Sequence, residues 1–121
     1  MLIGELARQA GTSARTLRYY EAQGLVRPRR CANGYRDYDD TELRVVGEIR
    51  SLLAVGFDLE DIRPFVTCLR AGNPSGDVCP DSISVLLRKL AEVDAGLARL
   101  AGVREQLRCQ LDRTRADRRR R

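Results

Sequence analysis

The chain has 121 residues, a formal net charge of +5 and no histidine. A chain of this length can bury a modest core without disulfides, and no apolar run approaches the roughly 18 residues that a membrane span requires. Catalysis built on imidazole is excluded, as are zinc sites that contain histidine. We therefore expect a binding protein and not an enzyme, and, because the N-terminus does not resemble a secretion signal, a cytoplasmic one without a membrane partner.

The charge is divided into three blocks along the chain. Residues 1–38 carry seven arginines and three acidic residues, residues 39–79 carry four arginines and eight acidic residues, and residues 80–121 carry eleven basic and six acidic residues. Two basic ends therefore flank an acidic middle. This distribution favours a polyanionic partner such as nucleic acid.

The first 23 residues have the pattern of two short helices joined by a turn. Gly11 can end the first helix in the left-handed conformation, and Thr12 or Ser13 can cap a second helix from Ala14 to about Gln23. Apolar residues recur at helical spacing in the first helix, at Ile3, Leu6, Ala7 and Ala10. The segment therefore predicts a helix-turn-helix.

Residues 25–38 are predicted to form a hairpin, or wing. Asn33-Gly34 is the dipeptide best suited to a two-residue turn, because both positions accept a positive φ. The hairpin is basic and aromatic, with arginines at 27, 29, 30 and 36 and tyrosines at 35 and 38. Such a rim suits a phosphate backbone, although charged edges also serve simply to block strand pairing.

Two more helices and a loop are expected next. Asp39 and Glu42 have the spacing of a capping box for a third helix that ends near Val55, and Asp58 can cap a fourth. The segment 71–80 is rich in glycine and proline, so it is expected to be a linker loop.

The last part of the chain carries a heptad pattern. From residue 81 to about residue 112, apolar residues alternate in steps of three and four: Ile83, Leu86, Leu90, Val93, Leu97, Leu100, Leu107 and Leu111. A long helix with one narrow apolar stripe must find a partner for it, and a second copy is the simplest one. Residues 113–121 are expected to form a basic tail whose closing run, Arg118–Arg121, is disordered.

The chain resembles the MerR family of bacterial transcription regulators. The resemblance covers residue 2 to about residue 112 and rests on the motifs Ile3-Gly4-Glu5-Leu6-Ala7, Arg15-Thr16-Leu17-Arg18-Tyr19-Tyr20-Glu21, Gly24-Leu25, Asn33-Gly34-Tyr35-Arg36 and Gly56-Phe57, together with Ser13 and Tyr38. It implies a mainly α fold: a winged helix-turn-helix DNA-binding domain with a small β-hairpin (1–70), a linker (71–80), and a long C-terminal dimerisation helix in an antiparallel coiled coil (81–112).

The resemblance also implies a function and a set of DNA contacts. Members of this family bind palindromic promoters as homodimers and distort the DNA so that RNA polymerase can engage it. The positions that match their DNA contacts are Ser13, Arg15, Thr16, Arg18, Tyr19, Tyr35, Arg36 and Tyr38. Arginine can pair with guanine or phosphate, and tyrosine can donate to phosphate. The alternative for Arg18 is a solvated helix charge.

The four cysteines are expected to be reduced thiols. Cys79 precedes the long helix, where the helix dipole stabilises a thiolate, and the resemblance places a metal ligand of mercury- and zinc-responsive members near it. We expect this chain to lack the loop that supplies the other ligands in those members. Cys79, Cys109 and Cys68 are thus candidates for a metal or thiol-reactive sensor, with ordinary packed thiols as the alternative; no cofactor is expected for folding.

Two other functional classes fit parts of the sequence. A nucleoid or excision-type protein bends DNA with a similar winged helix and needs no signal, but such small proteins generally lack a long heptad helix. A thiol enzyme using Cys79 is disfavoured, because no histidine is present to activate the sulfur.

Overall fold

The computed structural model describes all 121 residues and contains five helices and one two-stranded sheet. In chain order the elements are α1 (Ile3–Ala10), α2 (Ala14–Ala22), β1 (Arg29–Arg30), β2 (Arg36–Asp37), α3 (Asp40–Ala54), α4 (Leu59–Arg70) and α5 (Pro80–Arg120). The chain divides into two compact units, Met1–Ile83 and Ser84–Arg121. None of the helices is both long and apolar enough to span a membrane.

The helix-turn-helix forms as its sequence predicts. Gly11 ends α1 with φ 70°, a left-handed conformation that glycine adopts without steric cost. Ser13, one of the two predicted caps, accepts a hydrogen bond from the backbone N–H of Thr16 at the start of α2. Leu6 and Leu17 are fully buried where the two helices pack on the rest of the first unit.

The wing is an antiparallel hairpin, but its turn differs from the predicted one. Arg29 pairs with Asp37 and Arg30 with Arg36. Gly34 alone has a positive φ, of 84°, and its N–H donates to the carbonyl of Cys31 at 2.9 Å. The turn is therefore a three-residue loop with a left-handed glycine and not the two-residue type. The Asn33 side chain stabilises it by accepting a hydrogen bond from the Tyr35 N–H.

The first residue of the chain closes the base of the wing. The Met1 amine donates to Asp37 Oδ1 at 2.7 Å and to the Tyr38 carbonyl at 2.8 Å, and the Tyr38 N–H donates back to the Met1 carbonyl. The hydrogen bond from the amine lowers the pKa of Asp37, and the same bond raises the pKa of the amine. The second strand of the wing is thereby fixed beside the start of α1.

Helices α3 and α4 form the base of the first unit. Asp39 caps α3 through the N–H of Glu42, as predicted, but the Glu42 side chain does not return to complete the capping box. At α4, by contrast, Asp58 and Asp61 form the full reciprocal box. The apolar faces of the two helices supply much of the core: Val45, Val46, Ile49, Ile62, Phe65, Val66 and Leu69.

Glu42 instead forms a buried ion pair with Arg70. Its carboxylate accepts two hydrogen bonds from the guanidinium, at 2.7 and 2.8 Å, and a third from the backbone N–H of Arg27 at 2.5 Å. Arg70 also donates to the carbonyl of Leu25 at 2.7 Å. The Glu42 side chain is only 4% exposed. This pair ties α3 and α4 to the segment that leads into the wing.

The loop between α4 and α5 is irregular, as predicted, but it is packed against the first unit. Ser82 is fully buried and donates to the Gly76 carbonyl at 2.6 Å, while Arg44 on α3 donates to the Pro74 carbonyl at 2.9 Å. A Cβ at Gly76 would lie 2.8 Å from the carbonyl oxygen of Phe65. Only glycine therefore allows this approach of loop to helix.

The long helix extends beyond its predicted end. Helix α5 has 41 residues and continues to Arg120, so the expectation that the run Arg118–Arg121 is disordered is wrong for its first three residues. Residues 113–120 lack helix breakers, and the basic residues 118–120 lie at the helix C-terminus, where the macrodipole favours positive charge. All eight predicted stripe residues have exposed side chains in the single chain.

We predict that Glu42→Ala lowers the free energy of unfolding by about 3–5 kcal/mol, because it leaves the Arg70 charge buried without its partner. Chemical denaturation would measure this. Glu60→Ala is the matched control, since Glu60 pairs with Arg63 on the surface and its side chain is 79% exposed; that change should cost less than about 1 kcal/mol. Equal losses in the two variants would contradict the importance of the buried pair.

A second prediction concerns pH. Burial, and then the negative charge of Asp77, raise the pKa of Glu48. The folded state thus holds the Glu48 proton more tightly than the unfolded state, and the associated stability is lost as pH rises through the raised pKa. Glu48→Gln should therefore increase Tm at pH 7, by about 1–3 °C, and the gain should shrink below about pH 4. A gain that persists unchanged in acid would contradict this origin.

Candidate nucleic-acid interface

One face of α2 is exposed and carries positive and aromatic side chains. Leu17 and Tyr20 are buried against the core, which turns Arg15, Arg18 and Tyr19 outward. These three residues lie three and four positions apart, so they share one face of the helix. Tyr19 is 52% exposed even though it is a large aromatic residue. The face can therefore present two guanidinium groups and one phenol to a ligand.

Ser13 and Thr16 stand at the beginning of the same helix. The Ser13 Oγ accepts the Thr16 N–H at 3.1 Å and lies 2.9 Å from the Thr16 hydroxyl oxygen. Both hydroxyls thus take part in the helix cap. They lie at the surface, so they remain able to share further hydrogen bonds with a ligand at this helix N-terminus.

The wing places further predicted residues beside this helix. Tyr35 at the tip is 66% exposed. Arg36 is half-buried and its guanidinium donates to Glu21 Oε2, on α2, at 3.1 Å. Arg18, Tyr35 and Arg36 line one cleft of about 320 Å³ together with residues of α1. The fold therefore brings one predicted residue of the helix, Arg18, together with two of the wing, Tyr35 and Arg36.

Tyr38 does not belong to this surface, and its prediction as a DNA contact is wrong for this conformation. Its side chain is 1% exposed, and its hydroxyl donates to Glu21 Oε2 at 3.4 Å. Burial and the nearby carboxylate raise the pKa of Tyr38, which keeps the hydroxyl protonated and able to donate. The ring follows β2 into the core, because the Met1 pairing fixes the strand there.

Glu21 is the functional residue that sequence reasoning left without a role. Its carboxylate accepts from both Arg36 and Tyr38, so it connects α2 with the wing. The only signal in the sequence was a lone acidic residue among the arginines and tyrosines of residues 15–36. Its partners lie 15 and 17 positions away, and no helical or strand periodicity links such positions.

The cysteines are not all reduced, contrary to expectation. Cys68 and Cys79 form a disulfide, with their Cα atoms 5.9 Å apart, while Cys31 and Cys109 are free and exposed. The two cysteines meet because the loop after α4 folds back and places Cys79 beside Cys68, in the last turn of that helix. Cys109 belongs to the second unit, where its sulfur lies 3.6 Å from Glu105 Oε1.

The three metal-ligand candidates therefore do not appear as one cluster. Cys68 and Cys79 are bonded to each other, and Cys109 has only Glu105 beside it among the residues of its own helix. The chain has no group of three or more cysteine, aspartate or glutamate side chains arranged to hold a metal ion. Of these three candidates, the fold brings together the sulfur atoms of Cys68 and Cys79.

The fold and this surface define a winged helix-turn-helix DNA-binding protein. Residues 1–67 match the family model described as "MerR HTH family regulatory protein", and residues 43–110 match the one described as "MerR, DNA binding". The chain belongs to the MerR family, as its motifs indicated. It is a DNA-binding transcriptional regulator of that type.

Relatives and solved structures agree with this assignment. The chain is 32% identical over 107 residues to the HTH-type transcriptional regulator HmrR of Rhizobium leguminosarum bv. viciae, covering 88% of this chain and 81% of the relative. It is 34% identical over 106 residues to ZntR of Escherichia coli (strain K12), covering 87% and 74%.

Two crystal structures have a similar fold. PbrR691 from Ralstonia metallidurans CH34, in complex with lead(II), has a TM-score of 0.70 at 27% identity and covers 88% of this chain and 82% of its own. HiNmlR, described as a MerR family regulator that lacks the sensor domain and is bound to promoter DNA, has a TM-score of 0.59 at 28% identity, covering 83% and 74%.

We predict that Arg18→Ala weakens binding to the chain's promoter by about 1–3 kcal/mol while leaving Tm unchanged, because the guanidinium is exposed on the outward face of α2. Gel shifts at fixed salt concentration would measure the affinity. Arg113→Ala, which removes an exposed arginine from α5, is the charge-matched control. Wild-type affinity for Arg18→Ala, or an equal loss in the control, would remove Arg18 from the interface.

Proposed function

We propose that the chain regulates transcription as a cytoplasmic homodimer that binds a palindromic promoter sequence-specifically and distorts it for RNA polymerase. One observation carries the proposal: the chain combines an exposed cationic and aromatic face on α2 and the wing with an exposed apolar stripe along α5. Neither surface has a partner within a single chain. In this proposal, DNA binds the first surface and a second copy of the chain covers the other.

The DNA-facing surface has the groups needed to read base edges and to position the protein on the phosphate backbone. Arg15 and Arg18 on one face of α2 can each pair bidentately with a guanine edge in the major groove or clamp a phosphate. Tyr35 and Arg36 on the wing can contact the adjoining phosphates and sugars. Because Glu21 holds the guanidinium of Arg36, this side chain is oriented before DNA arrives, and less side-chain entropy is lost on binding.

The stripe on α5 has the features of a dimer interface. The eight predicted residues are between 38% and 67% exposed in the single chain, which is unusual for so many large apolar side chains in one line. Leu87 and Val103 are exposed beside them, at 64% and 50%. Val103 lies three and four positions from Leu100 and Leu107, so it continues the stripe where Arg104 interrupts the heptads. An antiparallel pair of such helices would bury this surface.

Distortion of the DNA is compatible with these surfaces. A dimer that holds two half-sites at a fixed distance can bend or untwist the DNA between them, at a cost of a few kcal/mol. The promoter-bound structure of HiNmlR, a MerR family regulator, supports binding to promoter DNA by a chain of similar fold. In this proposal the protein changes the shape of the DNA and makes or breaks no covalent bond in it.

The signal is proposed to be a metal, an oxidant or a thiol-reactive compound. The lead complex of PbrR691 supports a metal among structural relatives. In this chain, however, the sulfur chemistry is concentrated in the Cys68–Cys79 pair, and no cluster of three ligands accompanies it. These observations favour a thiol-reactive signal. A protein that bends DNA constitutively, with no signal, is the alternative outcome of the experiment.

Footprinting on the DNA upstream of the chain's own gene and its neighbours tests the proposal. We expect two protected half-sites about one helical turn apart or a multiple of it, related by a two-fold axis, and enhanced cleavage between them where the DNA is distorted. In vitro transcription with RNA polymerase would then be compared with and without metals, oxidants and electrophiles. A single unsymmetrical site would contradict dimeric recognition, and an output independent of every compound would favour the constitutive alternative.

Matched variants test the dimer separately. Leu90→Glu combined with Leu97→Glu places charges in the stripe and should yield a monomer in sedimentation with much weaker binding to the full site. Ala95→Glu adds the same kind of charge on the opposite face of α5 and should leave both properties unchanged. If the double variant still sediments as a dimer, the interface lies elsewhere.

A further inference from the structure

We propose that Cys68 and Cys79 form a reversible thiol–disulfide site that reacts with low-molecular-weight thiols and their disulfides, and that its redox state sets the affinity for promoter DNA. The inference rests on the proposed function for its output. It deepens that function by naming the reacting atoms and the chemical class of the signal.

The two sulfurs have different surroundings, which assigns them different roles. Cys68 lies in the last turn of α4 and is 1% exposed, whereas Cys79 immediately precedes α5 and is half-buried. A cleft of about 460 Å³ opens beside the pair, with Arg63, Thr67 and Asp81 among its lining residues. A small thiol can enter such a cleft. Cys79 is therefore the sulfur that an incoming molecule attacks, and Cys68 is the resolving partner.

The exchange needs one class of co-reactant, a low-molecular-weight thiol together with its disulfide. To open the bridge, a small thiolate bonds to Cys79 Sγ, the Sγ–Sγ bond breaks, and Cys68 leaves as a thiolate that takes up a proton. A second small thiolate then bonds to the sulfur of the first, which releases the Cys79 thiolate. Two small thiols become one small disulfide, and the pair gains two electrons. The small disulfide closes the bridge by the reverse steps.

Neighbouring groups are placed to stabilise the opened form. The Asn73 amide donates to Cys79 Sγ at 3.3 Å and to the Cys68 carbonyl at 2.9 Å, so it contacts both ends of the bridge. Cys79 also lies at the N-terminus of α5, where free N–H groups favour a thiolate. Cys68 Sγ lies 3.6 Å from the Ser75 carbonyl oxygen, which can accept a hydrogen bond from the reduced thiol.

The surrounding loop does not depend on the bridge alone. The hydrogen bonds from Ser82 to Gly76 and from Arg44 to Pro74 hold it independently of the sulfurs. Both redox states can therefore keep the fold of the first unit. What the bridge adds is a covalent link between the end of α4 and the start of α5, and this link is what opening would remove.

The bridge and the ion pair at the entrance of the wing are both attached to the last turn of α4. Arg70 lies two residues after Cys68, and its guanidinium binds Glu42 and the Leu25 carbonyl, next to the segment that enters the wing. A change in the last turn of α4 would thus move the group that fixes this segment. At its other end the bridge holds the first residue before α5, the helix that carries the apolar stripe.

The first experiment measures the chemistry on the full-length protein with Cys31→Ser and Cys109→Ser, which leave only the pair. Samples equilibrated without denaturant in glutathione buffers of different redox composition are alkylated and digested. Because trypsin cleaves after Arg70, the bridge links two peptides that mass spectrometry can identify. We expect a two-electron transition between the linked and the doubly alkylated forms. A bridge that opens only in denaturant would overturn the proposal.

The second experiment measures promoter affinity in the same buffers. We expect the oxidised and reduced proteins to differ by about fivefold or more. Cys79→Ser and Cys68→Ser should each show one affinity in all buffers, and the Cys31→Ser and Cys109→Ser protein should respond like wild type. Cys79 is half-buried, so its variant keeps the test valid if Cys68→Ser fails to fold.

The two proposals fail in different ways. Equal promoter affinity in both redox states would overturn the switch and leave the DNA-binding function intact. A bridge that opens and closes in a protein without affinity for any promoter DNA would overturn the proposed function, while the thiol titration would still support the exchange chemistry. A Cys79→Ser variant that responds to glutathione disulfide as wild type does would overturn the assignment of the reactive sulfur.

Discussion

The carboxylate of Glu42 joins three parts of the first unit that are far apart in the sequence. It binds the guanidinium of Arg70 at the end of α4 and the N–H of Arg27 at the entrance to the wing, while its own backbone lies in the first turn of α3. Removing either charge would leave the other buried without compensation, which costs several kcal/mol. This one group therefore ties the segment that enters the wing to the two base helices.

A buried ion pair of this kind fixes the geometry of a core more effectively than it adds to the free energy of unfolding. Apolar residues of equal size often stabilise a core as well as a buried ion pair does, and the Nε of Arg70 is buried here with no hydrogen-bond partner in the chain. Directional hydrogen bonds, however, fix angles that apolar contacts leave free. A surface that must match the spacing of DNA grooves and phosphates needs its helix and wing held at such fixed angles.

Glu21 connects separate elements on the DNA-facing side of the first unit, as Glu42 connects separate elements at its base. It binds Arg36 on the wing and Tyr38 in the core, so the exposed side chains rest on a supporting layer of hydrogen bonds. The Cys68–Cys79 bridge is attached to the same last turn of α4 as Arg70. In the proposed switch, the backbone of this turn and the contacts of Arg70 with Glu42 and Leu25 would couple the bridge to the entrance of the wing.

Local patterns in the sequence determined the elements of this protein and the class of its partner. Helix periods, the Gly11 and Ser13 caps, the position of the turn at Asn33-Gly34 and the apolar stripe of α5 all depend on residues within a few positions of one another, so they can be read without the fold. The tertiary structure alone decided the Glu42–Arg70 pair, the burial of Tyr38, the role of Glu21 and the disulfide. Each of these depends on contacts across 11 to 28 positions of sequence. Such contacts are set by how the helices pack and where the loops return, which no local spacing encodes.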